Sequence, residues 1–204
     1  SISWAVDENT SVWDESTNSN KITFSWNIIA EALHCSIHID EQDGPGCHSM
    51  GMLIESPKGQ ITVHHNLFAS NNDRNPAIKS GNVEFADNVL YNWGQHSISF
   101  FGGNLHLIGN TFIGTLGSSD WVGDGLEAVQ CEGGPGKLYM DRNVGPDNLT
   151  DWNSVVCTGS LKDSIFSEKQ IFQGSSAWNP TDKSYSEVMT GAGAIRDLVD
   201  DRII

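Results

Sequence analysis

Apolar and polar positions alternate along much of this chain in short runs, and one run recurs in a single register. Asn20-Lys-Ile-Thr-Phe-Ser-Trp-Asn27, Gly59-Gln-Ile-Thr-Val-His-His-Asn66, Gly81-Asn-Val-Glu-Phe-Ala-Asp-Asn88, Gly103-Asn-Leu-His-Leu-Ile-Gly-Asn110 and Gly136-Lys-Leu-Tyr-Met-Asp-Arg-Asn143 share one pattern. Each reads turn, polar, apolar, polar, apolar, two variable residues, Asn. Alternation with period two predicts a strand that buries one face. The asparagines are separated by 39, 22, 22 and 33 residues, a unit of 22 with insertions in the first and last steps. A short strand repeating at that interval predicts one coil of a parallel β-helix, a solenoid of about six coils over residues 1–146. Asparagines stacked coil on coil satisfy one another's amides, as in an Asn ladder. An antiparallel sandwich with Gly-rich turns is the alternative, and five identical registers argue against it.

Extended backwards, the register aligns Ser1-Ile-Ser-Trp4 with Thr23-Phe-Ser-Trp26, which places the first residue inside a strand. A terminal coil normally carries an atypical cap. The expectation is that upstream coils are lacking, or that another copy of the chain covers that end by self-association. Towards the other end, two long excursions (115–135 and 145–183) interrupt the pattern. Tyr185 to Thr190 predicts a short capping helix stopped by Gly191, with Arg196 to Ile204 returning along the surface. The whole reads as a single domain over 1–204, with loops and tail occupying 147–204.

Composition changes this picture little. Hydrophobic residues make up 38% and glycines number 21, which suits many short strands separated by turns. No run approaches the ~20 apolar residues of a membrane-spanning helix, so no membrane partner is expected. Cys35, Cys47, Cys131 and Cys157 allow three pairings; Cys35–Cys47 with Cys131–Cys157 would each close a local insertion. No C-x-x-C pair suggests a thiolate metal site. Asn9-Thr-Ser and Asn148-Leu-Thr match the glycosylation triplet, a lean towards a secreted, extracellular or periplasmic protein.

The formal charge of -15 excludes a nucleic-acid partner, which needs a basic face. An anionic ligand would need a local cluster of cations, and the richest stretch is Asn71-Asn-Asp-Arg74-Asn-Pro-Ala-Ile-Lys79, in the turn after the third coil's strand. Taken alone, an Arg and a Lys near a turn are solvated surface charges.

The surrounding residues give that turn a context. His64-His65-Asn66-Leu-Phe68, then Arg74-Asn-Pro76, then Lys79-Ser-Gly81, resembles the signature of the pectate lyase superfamily, polysaccharide lyase family 1. That signature runs His-Asn-x-Phe or His-His-Asn-x-Phe, an Arg eight residues after the Asn, a Pro two further on, and a second Arg before a Gly. Here the second cation is Lys79. Ser3-Trp4-Ala-Val-Asp7-Glu8-Asn9, Trp26-Asn-Ile-Ile-Ala-Glu31 and the tail from Glu187 to Ile203 are similar to the same superfamily. The resemblance implies a right-handed parallel β-helix and, as ligand, an acidic polysaccharide such as pectate or polygalacturonate.

By resemblance the reaction is β-elimination: the C5 hydrogen of a uronate is removed and the C4 oxygen leaves. Charge building on the uronate carboxylate must be stabilised, and hard cations or fixed Arg and Lys do this. Arg74 is then the proton-abstracting residue and Lys79 a carboxylate clamp, with His34 and His65 as further sugar contacts. A guanidinium holds its proton far into the alkaline range, which makes an arginine base awkward, and the family meets this with alkaline conditions and Ca²⁺. Ca²⁺ is the implied cofactor, with Asp7 as a ligand by position and Glu8 beside it. Ca²⁺ takes six to eight oxygen ligands. Ser3 falls where another ligand is expected, the remaining carboxylates belong before Ser1, and Asp40, Glu41 and Asp43 form an acidic loop that could contribute. The family's groove lysine falls near His34 or Cys35, and no Lys lies between Lys21 and Lys58. Trp4, Trp13, Trp26, Trp93, Trp121, Trp152 and Trp178 are packing residues or sugar platforms. Three readings follow: a Ca²⁺-assisted pectate lyase, a lyase-like β-helix that binds acidic glycan without cleaving it, and a structural, self-associating β-helix.

Overall fold

The computed structural model describes residues 1–15, 21–36, 39–40, 44–45, 48–114, 128–132, 134–145, 184–193 and 198–203. Its strands, in chain order, are β1 (Ile2–Ser3), β2 (Glu8–Trp13), β3 (Lys21–Ser25), β4 (Ile28–Ala30), β5 (Ile39–Asp40), β6 (Gly44–Pro45), β7 (Met50–His64) and β8 (Leu67–Ala69). There follow β9 (Ala77–Ala86), β10 (Val89–Tyr91), β11 (Ile98–Phe100), β12 (Gly103–Ile108), β13 (Thr111–Ile113), β14 (Val129–Cys131) and β15 (Gly136–Asp141). Two helices close the chain, α1 (Ser184–Gly191) and α2 (Leu198–Ile203). Apart from the antiparallel pair β5–β6, every strand pairing is parallel. The fold is all-β and parallel, with few helical residues.

Five strands make one sheet, in the order β1-β4-β8-β10-β13. The other sheet is built around the long strands β7 and β9. The first part of β7 pairs with β2 and its last part with β3; β9 likewise pairs with β11 through Ala77 and Ile78 and with β12 through 82–86. The register between β7 and β9 shifts around Glu55, where both strands bend. At that bend Gly81 (φ +105) sits against Gly103 (φ +85), and a Cβ on Gly103 would lie 2.7 Å from the Gly81 carbonyl oxygen. Only glycine permits that approach.

Register turns the alternating pattern into columns. Ile22, Ile61, Val83, Leu105 and Leu138 are paired across successive strands, and so are Phe24, Val63, Phe85, Leu107 and Met140. Ile29, Phe68, Leu90 and Phe112 form the facing column. These residues make one core, and truncating a side chain such as Phe85 to Ala would cost about 3–5 kcal/mol. The outer side of the five-stranded sheet is also apolar: Ile28, Ala30, Leu67, Ala69 and Val89 pack with Val188 and Ala192 of the α1 region. Burial on both sides explains why β4 and β8 read as continuous apolar runs rather than alternating ones.

The asparagine column forms as the spacing predicts. Asn27 Nδ2 donates to Asn66 Oδ1 at 3.0 Å, Asn66 to Asn88 at 3.0 Å, Asn88 to Asn110 at 3.1 Å and Asn110 to Asn143 at 3.0 Å. Each accepting oxygen also takes the backbone N–H of the preceding asparagine. The residue before each asparagine is left-handed: Trp26, His65, Asp87, Gly109 and Arg142. That conformation turns the chain from one sheet into the other.

One alignment is corrected. Ser1–Trp4 does not stack on Thr23–Trp26; β1 pairs with β4, Ile2 on Ile29 and Ser3 on Ala30, in the other sheet. Trp4 and Trp26 both follow an apolar–Ser step and both have positive φ (64 and 61°). Two corners of one repeat thus carry the same local sequence, and the pattern alone could not tell them apart.

Cys35 and Cys131 each take part in a disulfide bond. Cys47 and Cys157 lie outside the described residues, as do Glu41, Asp43, Trp121, Trp152, Trp178 and the glycosylation triplet at Asn148. The predicted capping helix is α1, one turn-residue longer at each end.

Candidate functional site

At the start of the first ladder, the register brings three chain segments together. Glu8 pairs with Met50 in β7, and Met50 bridges to Asp73. Arg74 follows Asp73 with φ 58°, a conformation that L side chains adopt only when held. Several contacts hold it. Gly51 N–H donates to the Asp73 carbonyl at 3.0 Å, and Met52 N–H to the Arg74 carbonyl at 2.6 Å. Asp73 Oδ1 accepts the Arg74 backbone N–H at 2.5 Å and the Ser99 hydroxyl at 2.9 Å. His96 Nδ1 lies 3.6 Å from Asp73 Oδ2. A second, shorter asparagine network supports the turn: Asn9 Nδ2 to Asn71 Oδ1 (3.1 Å) and Asn71 Nδ2 to Asn75 Oδ1 (2.9 Å). A Cβ on Gly51 would come within 2.8 Å of the Arg74 carbonyl, so glycine is needed directly beneath the arginine.

The Arg74 guanidinium pairs with Glu8 Oε1. Both side chains are partly shielded, 28% and 11% exposed, so this pair is less screened than an open surface ion pair. Beside it, His48 Nδ1 lies 2.9 Å from Asp7 Oδ1, and His34 Nδ1 lies 3.3 Å from the His48 carbonyl oxygen. Asp7, Glu8, His34 and Arg74 therefore share one end of the ladder, together with Asp73, His48, His96 and Ser99. Lys79 sits apart. It lies beyond Ile78 at the other end of the short strand segment, next to the register shift, with its Nζ 3.5 Å from Glu55 Oε2.

His65 lies at a different corner. It has no exposed surface. Its ring stacks on Trp26 (centroids 4.3 Å), its Nδ1 is 3.2 Å from His64 Nδ1, and its Nε2 is 3.2 Å from Glu187 Oε2 of α1. Here it ties the helix to the sheets. Burial and the neighbouring His65 together push the His64 pKa below its ordinary value, against an opposing pull from Glu84. Among the tryptophans, Trp4 and Trp13 are half exposed or more, whereas Trp93 packs on Phe112.

The calcium expectation can be tested on the donor set. Asp7, Glu8 and Asp73 are the carboxylates at this end, and each already faces a partner: His48 for Asp7, Arg74 for Glu8, and Ser99 with His96 for Asp73. Among the described residues no group of three or more His, Cys, Asp or Glu side chains is arranged to hold a metal ion. These residues do not by themselves make up the six to eight oxygens that Ca²⁺ takes.

Sequence reasoning missed Asp73, His48, His96, Ser99 and Glu55. Asp73 stands beside Arg74 in the chain, so its adjacency was a signal. Ser99, 26 residues away, is brought in by register alone.

The chain has named relatives. The "Probable pectate lyase C" of Aspergillus oryzae is 35% identical over 124 residues, covering 58% of this chain and 26% of the relative. The protein of the same name from Aspergillus flavus is 35% identical over 118 residues (55% and 24%), and that of Emericella nidulans is 36% identical over 94 residues (46% and 18%). These likenesses support a pectate lyase-related family. The match spans about a quarter or less of the relatives' own length. No protein-family profile matches the chain, and no solved structure does. No helix among the described residues is long and apolar enough to cross a membrane.

Proposed function

We propose that the chain is the β-helical part of a secreted polysaccharide lyase that cleaves pectate or a related polyuronate by β-elimination. The two parallel sheets, bent at the glycine pair, are read as the walls of a right-handed parallel β-helix, with the asparagine ladder along one corner. The single observation that carries the activity is the Glu8–Asp73–Arg74 arrangement: an arginine fixed in a left-handed conformation at a ladder end, with the partly buried Asp73 carboxylate behind it. The likeness to probable pectate lyases supports the same class.

In this reading a uronate lies along the ladder with its C5 hydrogen towards Arg74. The C5 proton passes to the guanidine, the electron pair forms the C4–C5 double bond, and the C4–O bond breaks. The leaving oxygen takes a proton from water. Asp73 fixes the Arg74 backbone, which limits the orientational freedom that would otherwise cost rate. Glu8 holds the guanidinium in place through its ion pair. The arginine must give up a proton before it can act as a base, so the rate should climb into alkaline pH. Lys79 presents a point charge to a second carboxylate further along the chain, without the bidentate fork of an arginine. Calcium, when bound, would supply charge neutralisation at the uronate carboxylate. Asp7 is the residue on hand for it, and further ligands must come from outside the described set or from the substrate.

A second reading has its own observation. Both candidate cations are already matched, Arg74 by Glu8 and Lys79 by Glu55, which ties Arg74 up against proton abstraction and favours a site that binds a glycan without cleaving it. Incubation with polygalacturonate at alkaline pH separates the two. Unsaturated uronate that appears with Ca²⁺ and stops with chelator supports the lyase and the metal. Product that persists in chelator keeps the lyase and removes the metal, and retention of the polymer without product supports the binder.

A further inference from the structure

On the five-stranded sheet, at the corner that adjoins the Asn9–Asn71–Asn75 network under the Arg74 turn, a second row of left-handed corner residues stacks in register. Ser3 pairs with Ala30, Ala30 with Ala69, and Ala69 with Tyr91, so the next residues, Trp4, Glu31, Ser70 and Asn92, lie one above another. Their φ values are 64, 51, 54 and 51°. Backbone bonds continue the ladder through the row: Glu31 N–H to the Ala69 carbonyl, Ser70 N–H to that of Tyr91, and Asn92 N–H to that of Ile113, each at 3.0 Å. The consequence is a line of polar side chains spaced by the inter-strand distance, about 4.8 Å.

That line floors a cleft of about 430 Å³ between the sheet and the two C-terminal helices. Tyr91 and Tyr185 stand in it, 45% and 48% exposed. Glu31 Oε2 accepts from Trp4 Nε1 at 3.2 Å and from Arg202 Nη2 of α2 at 2.6 Å, and Asn92 Nδ2 donates to Ser70 Oγ at 3.1 Å. The cleft thus carries one carboxylate and one guanidinium in contact, with no charge left over.

We propose that this cleft is a binding site for a neutral saccharide chain, separate from the candidate active site and independent of whether that site cleaves anything. Two exposed aromatic rings offer apolar faces to sugar C–H surfaces, while fixed Glu, Arg, Asn and Ser groups meet the hydroxyls. Aromatic faces beside fixed polar groups are a combination that suits a sugar, which is apolar on its C–H faces and polar at its hydroxyls. The row's spacing is close to the advance per unit of an extended pyranose chain, so successive sugars would meet successive corner residues. Neutrality follows from the Glu31–Arg202 pair and from a chain whose charge of -15 repels polyanions.

The test is titration of the ¹⁵N-labelled chain with cellotetraose, β-1,4-galactotetraose and tetragalacturonate, followed by amide shifts. The proposal expects saturable shifts at Ser70, Tyr91 and Asn92 with a neutral tetrasaccharide. It expects affinity to fall about tenfold or more in Tyr91→Ala/Tyr185→Ala and to be unchanged in Arg74→Ala. It is overturned if neither neutral sugar shifts those amides, if the tyrosine variant binds as well as the parent, or if tetragalacturonate alone binds there. The wild-type shift map locates the ligand even if the double variant folds poorly. Loss of polygalacturonate cleavage, by contrast, would sink only the lyase reading.

Discussion

The asparagine corner and the arginine turn are built on the same ladder and solve opposite problems. At the corner, Asn66, Asn88 and Asn110 are identical, fully buried and mutually bonded, so each amide is satisfied by the next coil's copy of itself. At the turn, unlike groups meet: Asp73, Ser99, His96, Glu8 and Arg74 come from separate segments and nothing repeats. Repetition serves stability because one interaction can be propagated through the stack. In the proposed reading, chemistry at a point needs a break in the repetition, and the cluster of unlike side chains around Arg74 is that break.

The corner should fail in stability and the turn in activity. Asn88→Ala orphans the Asn66 backbone N–H and takes one donor each from Asn110 Oδ1 and the Val63 carbonyl, and should cost about 3 kcal/mol in urea unfolding. A loss under 1 kcal/mol would mean that the ladder is decoration. Gly51→Ala drives a methyl into the Arg74 carbonyl and should cost about 1–3 kcal/mol while lowering lyase rate more than unfolding explains; equal losses would place Gly51 with the corner. Lys79→Ala should raise KM about tenfold, near 1.4 kcal/mol, with melting temperature little changed. An effect confined to kcat would contradict a clamping role.

The smallest effect is a pH slope. In the folded chain His64 binds its proton less tightly than the ordinary 6.5, so below that value the unfolded chain holds more protons. Stability should therefore fall as pH drops from about 6.5 through the lowered pKa, with no contribution above. His64→Gln should flatten that slope, as read from unfolding free energy against pH.

The columns and the corner were legible because period-two alternation and a 22-residue step report the same geometry twice over. Arg74 and Lys79 were singled out by the resemblance that the His-His-Asn, Arg and Pro elements carry, and the structure adds their partners Glu8 and Glu55. The Ser1–Trp4 register was not, because Ile-Ser-Trp and Phe-Ser-Trp serve two different corners alike. Asp73, Ser99 and His96 were hidden for a physical reason: a carboxylate, a hydroxyl and an imidazole have no periodic pattern, and only the register of β9 on β11 brings Ser99 to Asp73. The Arg74–Glu8 pair joins residues 66 positions apart, a separation that no local motif encodes.

The most direct measurement is ultraviolet absorbance of unsaturated uronate released from polygalacturonate, comparing the chain with Arg74→Ala after both are shown to be folded. Steady product from the first, rising with alkaline pH, and a loss of about 10³-fold in the variant is the predicted result. Equal rates from the two proteins, or no product from either, would contradict the account.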